Sequence, residues 1–126
     1  MFDHEKLRVY QKTLAFNEWV GVLLSNIKEK ISVYDHIDEA SASIALNIAE
    51  GNGKFTSKDR CRYFDIARGS ALECASCFDI LIKRGKLSEE DVLEGKKMLV
   101  DIVSMLIGLI NSNSDRVFEA EQNYNI

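Results

Sequence analysis

Ala40-Ser-Ala-Ser-Ile-Ala-Leu-Asn47-Ile-Ala-Glu50-Gly51, a short connector rich in Gly, Lys, Thr and Ser, and Tyr63-Phe-Asp-Ile-Ala-Arg-Gly69-Ser70-Ala-Leu-Glu73 form the stretch that decides the fold. From Ala40 to Ala49 no residue is charged. Small or apolar side chains point around nearly the whole circumference of a helix there, so this segment needs cover on more than one side. Ile37, Ala40, Ile44, Ile48 and Gly51 recur at spacings of three and four and make its main stripe, with Ser43, Asn47 and Glu50 along the flank. Asp35 is placed to cap this helix, expected over about 37–51, and Gly51-Asn-Gly53 to end it through the left-handed conformation open to glycine.

The second half predicts a helix over about 57–84, started by Thr56 or Ser57 with Asp59 in capping position and stopped before Gly85. Tyr63, Phe64, Ala67, Ala71, Cys74, Phe78, Leu81 and Ile82 share one face, and Arg62, Ile66, Gly69, Glu73 and Ile80 form a second row. A mid-helix glycine costs about 1 kcal/mol against alanine. Gly69 is therefore expected to permit the close approach of another backbone; the alternative is a tolerated weak spot.

Outward from this pair, a first helix is expected over about 5–31, its apolar residues lying on two adjacent stripes that need two neighbours. A fourth, over about 89–111, opens with Ser88 as cap and Glu89, Glu90 and Asp91 in its first turn. Asn111-Ser-Asn-Ser114 reads as its end and residues 115–126 as a C-terminal tail. Among 126 residues there is no proline, and 46% are hydrophobic; one domain spanning 1–114 and an all-α fold follow. Short connections between long helices make antiparallel neighbours, hence an up-down-up-down four-helix bundle. The apolar surplus on the first three helices exceeds one bundle core, which implies a homo-oligomer.

The charged N-terminus and the interrupted apolar window near Leu99–Ile110 point to neither a signal peptide nor a membrane span, and so to a cytoplasmic protein without a membrane partner. Cys74-x-x-Cys77 has redox spacing, but both fall on or near the buried face of a helix, where a free cysteine packs as a small hydrophobe. Gly51-Asn-Gly-Lys54-Phe-Thr56 lacks the full spacing and the preceding strand of a phosphate loop. Neither His4 nor His36 sits in the Glu-x-x-His arrangement of a di-iron bundle. No metal, cofactor or enzymatic activity is expected. The polar set Ser43, Asn47, Glu50, Ser70 and Glu73 is read as fixing register in the core or between subunits, the alternative being a ligand pocket or nucleic-acid contact. Although the net charge is -4, Lys54, Lys58, Arg60, Arg62 and Arg68 concentrate positive charge at the turn between the second and third helices.

Leu7-x-Val9-Tyr10-Gln, Ser43-Ile44-x-x-Asn47-Ile48-Ala49-Glu50-Gly51 and Phe64-x-Ile66-Ala67-x-Gly69-Ser70-x-x-Glu73 resemble the four-helix bundle proteins encoded by intervening sequences of bacterial 23S ribosomal RNA genes. The resemblance implies a ring-like homopentamer without enzymatic activity. That family is in turn similar to the accessory proteins of diversity-generating retroelements, basic pentamers that associate with a reverse transcriptase and nucleic acid. This chain departs from it in its acidic charge and in Glu39-Ala40, where relatives often carry Arg-Ala. The expected function is therefore that of a homo-oligomeric interaction or scaffold protein, its assembly motif Ser43, Asn47, Glu50, Gly51, Gly69, Ser70 and Glu73. The alternative is an RNA- or DNA-binding accessory module that uses the basic turn, alone or beside a nucleic-acid enzyme.

Overall fold

The computed structural model describes residues 1–124, with side chains through Ser114. A 3₁₀ turn, Asp3–Lys6, precedes four helices: α1 Arg8–Ser25, α2 Ser32–Asn52, α3 Ser57–Lys83 and α4 Glu89–Tyr124. No strand occurs among the described residues. The protein is all-α. α1 packs on α2 and α4, and α3 packs on the same two helices, an arrangement consistent with a four-helix bundle.

The caps expected of α3 and α4 are present. Thr56 Oγ1 accepts the Asp59 N–H at 3.2 Å, and at α4 the Asp91 N–H donates to Ser88 Oγ at 3.1 Å while the Ser88 N–H donates to Asp91 Oδ2 at 2.8 Å. Each satisfies amides that an isolated helix start leaves open. Gly85, at φ +72°, closes α3 in a conformation that side chains rarely adopt, and the Lys86 N–H reaches back to Leu81 O at 2.9 Å.

Three helix limits differ from expectation. α1 ends at Ser25 rather than near Ile31, and α2 starts at Ser32, before the proposed cap Asp35. Ile31, the residue at the cap position of α2, offers no side-chain hydrogen bond. The start is set instead by burial of Val33, Tyr34 and Ile37, whose apolar contacts outweigh the missing cap. At the other end, α4 continues through Asn111-Ser-Asn-Ser114 to Tyr124, so most of the expected tail is helical; its last two residues lie outside the described residues. Asn and Ser are weak helix formers but leave the hydrogen-bond ladder whole, and Asn113 Nδ2 bonds back to Leu109 O at 2.8 Å.

The core is aliphatic and aromatic in layers. Phe16 of α1, Ile37, Ile44 and Ile48 of α2, Phe64, Phe78 and Leu81 of α3, and Ile102 and Leu106 of α4 are buried. Trp19 lies edge-on to Phe78, ring centroids 5.7 Å apart. It also lies on Gly95 of α4, where a Cβ would come within 2.5 Å of the indole. Of the apolar residues of the first segment, Val9, Phe16 and Val20 enter the core, Leu7, Tyr10, Leu24 and Ile27 pack against its edge, and Leu14 stays 48% exposed.

Candidate interaction site between α2 and α3

The decisive stretch becomes the contact between α2 and α3. Near the end of α2, Gly51 is buried against α3, and a Cβ there would lie 2.8 Å from Tyr63 Cβ and 3.1 Å from the Phe64 ring. Gly51 therefore serves close packing, not helix termination. α2 runs one residue further, to Asn52, and Gly53 takes an ordinary right-handed conformation at φ -83°. Gly69, by contrast, is exposed, and a Cβ built on it meets nothing within 4 Å. Among the described residues no backbone packs on it, contrary to expectation within one subunit.

Further along, Ser43 Oγ and Ser70 Oγ are 2.9 Å apart and join α2 to α3. Asn47 Nδ2 donates to Ser43 Oγ at 3.0 Å and to Ser43 O at 2.8 Å. The amide proton occupies one lone pair of the Ser43 hydroxyl, leaving its own proton and a second lone pair for the Ser70 hydroxyl. The cluster is thus a short hydrogen-bonded chain between two helices, with part-buried members. Glu50 and Glu73 stay outside it: Glu50 is exposed, and Glu73 Oε1 faces His36 Nδ1 at 4.0 Å, both side chains more than half exposed. Such a pair contributes little.

The basic residues divide. Arg68 is drawn onto Asp65, its Nε and Nη2 bonding Oδ1 at 3.0 and 2.8 Å, so its charge is largely neutralised. Arg60 is half-buried and donates from Nε to Lys54 O at 2.8 Å, strapping the turn. Lys54 Nζ and the Arg62 guanidinium carbon stand 4.9 and 5.1 Å from the centre of the Tyr63 ring, a doubled cation–π contact. Lys58 is exposed. Beside these cations stands a residue that sequence reasoning passed over: Phe55, wholly exposed at the apex of the turn. Its signal was available, since an aromatic flanked by Lys54 and Thr56 in a connector has no helix face to join. The N-terminus comes to the same end of the molecule, where Asn52 Nδ2 donates to Asp3 Oδ2 at 2.9 Å.

Cys74 and Cys77 are free thiols on the buried side of α3. Burial, and after it the charges of Cys77 and Glu73, push Cys74 up to about 12. Burial and Glu73 raise Cys77 as well. Thiols held protonated are poor nucleophiles, so the Cys-x-x-Cys spacing here is a packing feature. Among the described residues, no three His, Cys, Asp or Glu side chains gather where a metal could sit, and no helix is long and apolar enough to cross a membrane.

A family model for the 23S rRNA-intervening sequence protein matches residues 5–108, nearly the whole of this four-helix arrangement. The chain belongs to that family. Among solved structures, a protein of unknown function from the S23 ribosomal protein family of Bacteroides thetaiotaomicron is similar, with a TM-score of 0.75 and 24% identity over 81% of this chain and 97% of that one. At that identity the likeness speaks for the fold. No curated protein matches the chain. For this member of the intervening-sequence protein family, the motif pairs Asn47-Ile-Ala-Glu-Gly51 and Ala67-Arg-Gly-Ser70 thus correspond to a physical seam, closed by one glycine and one pair of serines.

Proposed function

We propose that this intervening-sequence protein is a non-enzymatic homo-oligomer, a cytoplasmic interaction or scaffold protein built from helices that run up-down-up-down. The seam supports that course: as residue numbers fall along α2 from Gly51 through Ser43 to His36, their α3 partners rise from Tyr63 through Ser70 to Glu73.

The observation that carries the assembly is an apolar groove of about 410 Å³ between α3 and α4. Ala71 and Ala75 help line it, and Leu72, Val100 and Ile107 stand around it 46%, 68% and 44% exposed. Covering a Val, Leu or Ile side chain fully is worth about 1.5–3 kcal/mol, so leaving several open on one face favours a protein partner. Leu14 and Val22 of α1 and Leu46 of α2 are exposed as well. Exposed apolar residues on α1 and α2 as well as around the groove suit a heterologous contact that closes into a ring, and five subunits is the number that the family resemblance implies. Replacing Val100 with Asp puts a charge on the groove at a position already exposed, so the subunit still folds. Sedimentation velocity is expected to show the assembly dissociating; an unchanged sedimentation coefficient would remove the groove from the interface.

A second reading, nucleic-acid binding at the α2–α3 turn, is favoured by the wholly exposed Phe55 beside Lys54, Lys58 and Arg62. A ring would repeat that weak basic patch and make it multivalent. Under this reading, gel shifts at low salt detect RNA binding that Lys58→Glu with Arg62→Glu abolishes; binding indifferent to both changes excludes it.

A further inference from the structure

Phe55 stands at the turn in a place that the packing of the fold does not require. It is 100% exposed, yet the segment that carries it is held on every side. The Gly53 N–H bonds Ala49 O and Glu50 O at 3.2 Å, the Lys54 N–H bonds Gly51 O at 3.1 Å, Arg60 straps Lys54 O, and Thr56 caps α3. A free aromatic ring on an ordered turn presents its face to solvent, and binding has only its two side-chain torsions, not the backbone beneath it, left to order. The nearby Tyr63 is not equivalent, because Lys54 and Arg62 already occupy its surroundings.

We infer that Phe55 is a stacking platform for one base of a single-stranded nucleic acid, with Lys54, Lys58 and Arg62 meeting the phosphates on either side. The inference rests on the second reading above and narrows it from nucleic acid in general to an unpaired strand. A lone ring at an apex needs an open base face, which an unpaired strand offers along its length and a duplex only at its ends, and stacking of this kind is indifferent to sequence. A flat anionic membrane fits less well. Asp3, Glu50 and Asp59 are exposed around the same end and would face a uniformly negative sheet, whereas a strand follows a line of cations and passes the acids by.

The test uses the full-length protein and a fluorescently labelled mixed-sequence RNA strand, alone or annealed to its complement, with fluorescence anisotropy at low salt. The wild type is expected to prefer the single strand. Base–aromatic stacking is worth about 1–3 kcal/mol, so Phe55→Ala should weaken strand binding by about 5- to 150-fold. Phe55→Trp should restore it, and Phe55→Leu, apolar but without a π face, should not. If Phe55→Ala binds like the wild type while Lys58→Glu with Arg62→Glu does not bind, the basic-turn reading stands and the stacking platform is overturned. If Phe55→Leu keeps full affinity, the ring is a general apolar anchor and the inference also fails. A wild type that binds the duplex but not the single strand overturns the stacking platform alone, whereas binding to neither, or Phe55-dependent binding only to mixed phosphatidylcholine–phosphatidylserine vesicles, removes both readings. Since Phe55 touches no core residue, circular dichroism of each variant should match the wild type.

Discussion

Exchanging glycine for alanine at two positions of the same motif should move stability in opposite directions. In an open helix interior, alanine is favoured over glycine by about 1 kcal/mol. Gly69 sits mid-helix in α3 with nothing within 4 Å of a built Cβ, so within the subunit Gly69→Ala should collect that gain. Gly51 is also helical, but its added Cβ would lie 2.8 Å from Tyr63 Cβ, an atom next to the backbone that cannot rotate away, and 3.1 Å from two atoms of the Phe64 ring. α2 and α3 would have to part. Overpacking of this kind costs about 1–3 kcal/mol, and the immobile neighbour puts Gly51→Ala at the upper end, leaving a net loss of about 2 kcal/mol after the helix gain. With a urea slope of about 2 kcal/mol per molar, the two variants should bracket the wild type, Gly51→Ala about 1 M lower in midpoint and Gly69→Ala about 0.5 M higher. The assay is urea unfolding followed by circular dichroism at one fixed protein concentration, because assembly adds to apparent stability. A Gly51→Ala variant as stable as Gly69→Ala would refute the close-packing account of the seam. If Gly69→Ala instead loses stability in a concentration-dependent way, a second copy of the chain packs on that glycine.

Two further outcomes follow from the same contact and from the cysteines. In a double-mutant cycle of Ser43→Ala and Ser70→Ala, the 2.9 Å hydroxyl pair should give a coupling of about 0.5–1.5 kcal/mol in urea unfolding; strict additivity would mean that the pair does not contribute. For Cys74, the folded thiol is raised from 9.0 to about 12. The unfolded chain loses that proton first, so the contribution is full below pH 9 and is lost as pH rises from 9 toward 12, by at most about 1.4 kcal/mol per pH unit. Stability of Cys74→Ala should fall less steeply than wild type over that window, and parallel curves would count against the burial argument.

What the sequence disclosed was set by which signals are local. The starts of α3 and α4 were readable because Thr56 with Asp59, and Ser88 with Asp91, complete their hydrogen bonds within four residues. The start of α2 was not, because no side chain caps it and the burial of Val33 and Tyr34 depends on partners elsewhere in the chain. The uncharged course of α2 did announce a helix covered on several sides, and Ile37, Ala40, Ile44, Ile48 and Gly51 are all buried. Within the motif, a polar link between helices was foreseeable in kind, but the choice of Ser43 with Ser70, and the exclusion of Glu50 and Glu73, depends on the register of α2 against α3. The two glycines look alike as letters. Only the face each presents separates Gly51, which lies buried against α3, from Gly69, which lies on an exposed side of α3. Phe55 escaped for another reason: its place outside any periodic pattern marks only that it joins no helix face, and its exposure becomes a finding once the turn around it is ordered.

The central claim is that the chain works as an assembly whose subunits cover the α3–α4 groove. The most direct measurement is the native mass of the purified wild type beside Val100→Asp, by native mass spectrometry or light scattering. The account predicts a discrete species at five times the 14.3 kDa chain for the wild type and a shift toward the single chain for the variant. A wild-type protein that stays at 14.3 kDa at working concentrations would contradict it.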